Sequence, residues 1–171
     1  MEQRLEQNHA DGRKTPIQES IHVLELLKQD HREVETLFEE FERVDSHSKQ
    51  RVADEVYLAL ETHTIIEDTL VYPAIRATTG AVDLVDQANE EHHVVTLLIK
   101  ELREMNISNE VYRIRFKVLS ELVEHHIDKE EAEMFPSAEH IDIDWHSLGR
   151  KALTIKERMA TQAPDGECSV G

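Results

Sequence analysis

His63-Thr64-Ile65-Ile66-Glu67-Asp68-Thr69-Leu70-Val71-Tyr72-Pro73 returns 63 residues later as His126-Ile127-Asp128-Lys129-Glu130-Glu131-Ala132-Glu133-Met134-Phe135-Pro136. Each copy is preceded by a further histidine, His31 by 32 residues and His92 by 34. Four histidines and two glutamates therefore hold matched places in two halves. A two-metal site shared between halves requires such an arrangement.

Working outward, each copy lies on a stripe of apolar residues at helical spacing. Ile21, Leu24, Leu27, His31, Val34, Leu37, Phe38 and Phe41 mark a first helix. Its start is expected at Thr15-Pro16-Ile17-Gln18, with Thr as N-cap and Pro in the first turn. After a turn over 45–48, Ser48 can cap a second helix through Val52, Val56, Leu60, His63, Glu67 and Leu70 to about Ala77. A third follows from Leu84 to Leu102, and a fourth from Val111 to Met134, with 106–109 as the break between them. The connections are short, so the expected fold is all-α: an up-down-up-down four-helix bundle with a short additional C-terminal helix. By this reading 1–14 is a flexible segment and 15–136 the bundle. Residues 137–163 form a connector and peripheral helix (Trp145 to Ala160), and 164–171 a disordered tail.

Composition agrees with one helical domain. The 171 residues are 39% apolar and 32% charged, with only five Gly and four Pro. No run is long and apolar enough to span a membrane, and the polar Met1–Lys14 stretch does not read as a signal peptide, so a cytoplasmic home is expected. Cys168 is the sole cysteine, which leaves no internal disulfide or thiolate metal site. A formal charge of −17 repels phosphate backbones and anionic lipid, so neither nucleic acid nor membrane is an expected partner.

The six singled-out residues lie on inward stripes near the middle of their helices. Glu67 and Glu130, each four after a histidine, share its face. Burying two carboxylates and four imidazoles among aliphatic side chains is costly unless cations compensate. Two histidines per ion and two bridging glutamates leave open positions for small ligands. His-x-x-x-Glu by itself is poor evidence: with 11 histidines and 25 glutamates in 171 residues, one or two such pairs arise by chance, and the His31–Glu35 pair lies off the stripe. Specificity comes from the longer repeat, including an acid after each glutamate and the trailing Tyr72-Pro73 and Phe135-Pro136, to which no chemistry is given. His93 and His125 are expected to point sideways or to solvent. His22 is off the inward stripe, and His9, His47, His140 and His146 lie in loops or ends.

Taken together, Leu27-Lys28-Gln29-Asp30-His31, His63-x-x-x-Glu67 with Tyr72-Pro73, Glu90-Glu91-His92, and His126-x-x-x-Glu130-Glu131 with Phe135-Pro136 resemble the hemerythrin-like, HHE cation-binding family from about Ile21 to Pro136. The resemblance implies a four-helix bundle around two iron ions in an oxo- or hydroxo-bridged diiron centre. His31, His63, His92 and His126 would be its iron ligands, and Glu67 and Glu130 its bridging carboxylates. Oxygen carriers of the family keep a histidine one turn along the third helix and an aspartate five after the last histidine. Here Thr96 and Glu131 stand in those places. The pattern is closer to bacterial, including mycobacterial, hemerythrin-like proteins, which implies reaction with a peroxide or diatomic ligand. Hydrogen peroxide disproportionation is the expected activity, and non-enzymatic binding or sensing of O2, NO or iron the alternative. Glu91 and Glu131 are candidates for moving protons.

Overall fold

The chain is described by a computed structural model over residues 21–79 and 82–162, and these are helical with no strand among them. The first helix, α1 (Val23–Arg43), buries Leu24, Leu27, His31, Val34, Phe38 and Phe41 on one stripe. The start expected at Thr15-Pro16 lies outside the described residues. At the first turn Asp45 Oδ1 accepts hydrogen bonds from the backbone N–H groups of His47 (2.9 Å) and Ser48 (3.0 Å). Ser48 holds the N-cap position of α2 (Lys49–Ile66) but makes no side-chain cap bond, because its backbone is already helical. Asp45 supplies the polar support at this turn instead.

Beyond Ile66 the helix widens into a π-turn (Glu67–Val71) and continues as α3 (Tyr72–Thr79). Tyr72 N–H bonds back to the Glu67 carbonyl, an i→i+5 closure. Pro73 has no N–H to continue the α-helical ladder, and its ring would clash with the Thr69 carbonyl in a regular helix; the wider turn relieves both. After α4 (Val82–Arg103) comes α5 (Glu110–Lys129), started by Asn109, whose side chain accepts from Val111 N–H at 2.9 Å. A second π-turn (Glu130–Met134) follows, ahead of Pro136 and α6 (Phe135–Ala138), with Phe135 N–H bonded to the Glu130 carbonyl. The repeat seen in sequence is thus a repeat of backbone distortion.

Neighbouring long helices pack in the order α1, α2, α4, α5 around an up-down-up-down bundle. The core has two layers. One, toward the α4–α5 turn, contains Phe38, Phe41, Tyr57, Ile99, Tyr112, Phe116 and Leu119; the other contains Leu24, Leu27, Ile66, Ile75, Phe135 and Trp145. Within the first layer the Tyr57 and Tyr112 hydroxyls satisfy each other at 2.6 Å. α7 (Trp145–Gln162) packs against α1 and α2, burying Trp145, Gly149 and Ala152. At the closest approach a Cβ on Gly149 would stand 2.0 Å from the Ile21 carbonyl oxygen, a contact only glycine permits. Among the described residues no helix is long and apolar enough to cross a membrane.

Candidate metal centre

Between the two layers lies a polar cluster. Thr62 aside, the buried polar residues among those described are His31, His63, Glu67, His92, His126 and Glu130, the same six the repeat singles out. Thr62 is accounted for by a hydrogen bond to the Leu58 carbonyl. α1 and α4 each contribute one histidine, while α2 and α5 each contribute a histidine and, four residues on at the first π-turn position, a glutamate.

The imidazoles pair by halves. His31 Nε2 and His63 Nε2 are 3.2 Å apart, and His92 Nε2 and His126 Nε2 are also 3.2 Å apart. The carboxylates sit between the pairs: Glu67 Oε2 is 3.1 Å from His63 Nε2 and 3.2 Å from His92 Nε2. Glu130 Oε2 is 3.3 Å from His126 Nε2 and 3.5 Å from His31 Nε2. Two overlapping sets of donor atoms result, His31, His63, Glu67 and Glu130 in one and Glu67, His92 and His126 in the other.

The outward ring nitrogens decide what the inward ones can do. His31 Nδ1 donates to Glu131 (2.7 Å), His92 Nδ1 to Asp68 (2.9 Å) and His126 Nδ1 to Glu91 (3.0 Å); His63 Nδ1 faces Asp30 at 3.8 Å. A carboxylate only accepts, so Nδ1 of His31, His92 and His126 carries the proton, and in the neutral ring Nε2 presents a lone pair inward. Two bare lone pairs 3.2 Å apart repel unless a cation lies between them; cis ligands each about 2.1 Å from one ion would be about this far apart. Glu67 Oε1 and Glu130 Oε2 are buried without a hydrogen-bond partner. The donor set therefore fits metal cations, and carboxylates behind metal-binding imidazoles are the usual means of fixing their tautomer.

Without a cation the same geometry stores protons. Burial lowers the His63 pKa, but the Glu67 charge and nearby Asp30 outweigh it and raise it to about 10. His92 and His126 are likewise raised, against burial, by hydrogen bonds to Asp68 and Glu67 and to Glu130, Glu67 and Glu91 respectively. Burial would raise Glu67, yet the His63 charge and the nearby rings of His126 and His92 hold it well below the usual carboxylate value. Burial and the Glu67 charge push Glu130 up, and the adjacent His126 and His31 rings more than offset them.

Tyr72 belongs to the cluster. Its hydroxyl donates to Glu130 Oε1 at 2.7 Å and lies 3.3 Å from Glu67 Oε2. Burial, with the charges of Glu67 and Glu130, raises its pKa well above 10, so it remains a phenol and a donor. On a regular α-helix residues five apart point about 140° away from each other; the π-turn brings Tyr72 back over Glu67. By the same device Phe135 stacks on His31 (5.9 Å, 4°), as Tyr72 stacks on His92 (5.4 Å, 18°). Assigning these aromatics no chemistry is wrong for Tyr72. The signal was the difference between the copies, a hydroxyl in one and none in the other.

The carboxylates behind the histidines follow the repeat as well. The acid before each early histidine backs the histidine of the next helix, Asp30 for His63 and Glu91 for His126. The acid after each glutamate backs a histidine of the other half, Asp68 for His92 and Glu131 for His31. Three of these acids carry a cation behind them: Asp30 pairs with Lys156 of α7, Glu131 with Arg32, and Glu91 with Lys129 at 3.6 Å. His93, His125 and Thr96 are exposed, and Glu35 pairs with Arg32 outside the cluster. His22 packs against Trp145 and His146, while His9 and Cys168 lie outside the described residues.

Comparison with known proteins agrees with this geometry. A family model for the hemerythrin HHE cation-binding domain matches residues 22–138. The chain belongs to the hemerythrin HHE cation-binding domain family. A crystal structure of a hemerythrin HHE cation-binding-domain-containing protein from Mycobacterium kansasii is similar at 27% identity and a TM-score of 0.71, covering 82% of this chain and 88% of that one. A curated protein of Nostoc sp., named a DNA nickase, is 24% identical over 118 residues, which are 68% of this chain and 33% of that one. The chain thus spans a third of the length of that relative. The HHE match covers all six buried residues, Tyr72 and the four backing carboxylates.

Proposed function

We propose that this hemerythrin-like protein holds two iron ions and reacts with a small oxidant, hydrogen peroxide being the preferred substrate. The observation that carries this reading is the doubled donor set, two facing imidazole pairs with two glutamates between them. His31 and His63 would hold one ion and His92 and His126 the other, with Glu67 and Glu130 shared. When bound, a pair of irons supplies two-electron redox chemistry of the kind that converts peroxide to oxygen and water.

The chain's own contribution follows from its geometry. A cavity of about 20 Å³ touches the four histidines and is lined by Val34, Leu60, Val95, Val123 and Ile127. It has room for about one water-sized molecule, which favours a peroxide or diatomic ligand over any larger substrate. Its aliphatic walls exclude bulk water, so polar contacts inside act at low dielectric. Tyr72 offers a proton to Glu130 and orients that carboxylate. Glu91 and Glu131, partly buried behind His126 and His31, are placed to accept protons at the edge of the cluster. The net charge of −17 supports small-ligand chemistry over DNA binding for this chain.

The test is aerobic purification with metal quantification and an optical spectrum, followed by timed oxygen evolution after peroxide is added. Two irons per chain with peroxide-dependent oxygen release are expected. Two irons without turnover would sink the catalase-like reading and leave ligand binding or sensing. Glu67→Ala and Glu130→Ala should each lose most of the metal, and full occupancy in both would refute the shared-carboxylate assignment.

A further inference from the structure

The second half of the bundle carries a surface that the site does not use. Val94 and Leu97 on α4 and Ile114 and Val118 on α5 are 46%, 49%, 51% and 42% exposed. The two helices are antiparallel, with Arg115 against Glu101 at one level and Lys129 beside Glu91 at another. The four side chains therefore fall on neighbouring stretches of one outer face, flanked by half-buried Leu98 and Leu122 and extended by Val111, which is 47% exposed. Scattered exposed apolar residues need no explanation, but a contiguous group of them marks a contact surface.

The internal repeat supplies a control. Counting from the matched histidines, the equivalents of Val94, Leu97, Ile114 and Val118 in the first half are Glu33, Thr36, Arg51 and Glu55. The same bundle position tolerates charge there, so the apolar set is not demanded by helix packing. α7 lies on the α1–α2 side, and the exposure of the α4–α5 face shows that no described residue covers it.

We infer that this face is the interface with a second copy of the chain, the two related by a twofold axis. Its size suits that role. Helices of 22 and 20 residues, about 30 Å long and each about 10 Å across, present an outer face of about 600 Å², the lower end of what each partner buries in a specific interface. Its charge suits it too, since the ridge is flanked by both signs in an otherwise strongly acidic chain. Glu90 stands on one side of Val94 and Leu97 and Lys100 on the other, and Lys117 pairs with Glu121 at 3.7 Å. A twofold perpendicular to the helix axes turns one copy end over end and brings the Glu90 end of one ridge toward the Lys100 end of the other, as a self-complementary interface requires. Segments 1–20 and 163–171 contain too few apolar residues in sequence to match the ridge.

Sedimentation of the full chain from about 1 to 100 μM tests the proposal. Self-association to twice 19.8 kDa is expected. Added salt should tighten it, because two chains of charge −17 repel until screened. Leu97→Glu and Ile114→Glu should each weaken the dimer at least tenfold with helicity and metal content unchanged, whereas Thr36→Glu in the first half leaves it intact. A milder Val118→Thr, which weakens association several-fold, guards against a charge that perturbs folding. A single 19.8 kDa species throughout the range overturns the proposal, as does a dimer undiminished by the α4 and α5 substitutions.

Discussion

Tyr72 and Phe135 occupy equivalent places in the two halves, yet only one offers a proton. The Tyr72 hydroxyl satisfies Glu130 Oε1, while the corresponding oxygen on the other side, Glu67 Oε1, has no partner. The two candidate metal positions are therefore chemically unlike although their histidines match. Tyr72→Phe should destabilise the metal-free protein by about 1–3 kcal/mol by orphaning a buried carboxylate oxygen. It should retain metal but alter its optical spectrum and peroxide kinetics; melting curves and timed oxygen release check this. Phe135→Tyr should move the spectrum in its own direction by giving Glu67 a donor. Farther out, Asp68→Ala or Glu131→Ala removes the acceptor that fixes an imidazole tautomer, and roughly 10–100-fold weaker metal binding is expected. Competition with a chelator reads that loss directly.

The two π-turns do at the level of the element what no single residue could. Periodicity at 3.6 residues places Glu67 beside His63 but sends the residue five later away from the site. One widened turn in each half brings Tyr72 and Phe135 inward, and it falls where Pro73 and Pro136 make a regular ladder unfavourable. α7 reaches the site through Lys156 on Asp30, the carboxylate facing His63. Its approach to α1 depends on Gly149. Gly149→Ala should cost about 1–3 kcal/mol by overpacking, since the added methyl meets backbone rather than a movable side chain. Thermal unfolding measures the loss, and hydrogen exchange should locate it in α7.

Across the molecule, the cluster ties stability to pH. The His63 pKa rises from 6.5 to about 10 on folding, so its contribution to the metal-free protein is complete below pH 6.5 and is lost as pH climbs toward 10. Glu67 moves the other way, well below 4.5, and its contribution is present above pH 4.5 and lost on acidification. Glu91, lowered to about 2 by its hydrogen bond to His126, acts in the same sense between pH 4.5 and 2. The chelated protein is thus expected to melt highest between pH 4.5 and 6.5. Metal must displace the protons held by the histidines, so its affinity should rise across the alkaline range in which the apoprotein weakens. Melting curves of chelated and loaded protein over pH 4 to 10 should diverge above pH 6.5; parallel curves would contradict the stored-proton account.

The sequence by itself determined the four-helix bundle, the six buried polar residues and the acids beside them, because each depends on local spacing: apolar stripes at helical period, a glutamate one turn from a histidine, a segment written twice. It could not determine which way the residues beyond each glutamate would point, since that depends on a change of helical pitch that no periodicity signals. Pairing was likewise a tertiary outcome. That Asp30 faces His63 while Asp68 backs His92 of the other half follows from the packing of α1, α2, α4 and α5, which joins residues distant in the chain. The exposed face of α4 and α5 belongs to the same class. Val94 and Ile114 read as ordinary helix residues until the bundle shows them facing outward, with nothing described above them.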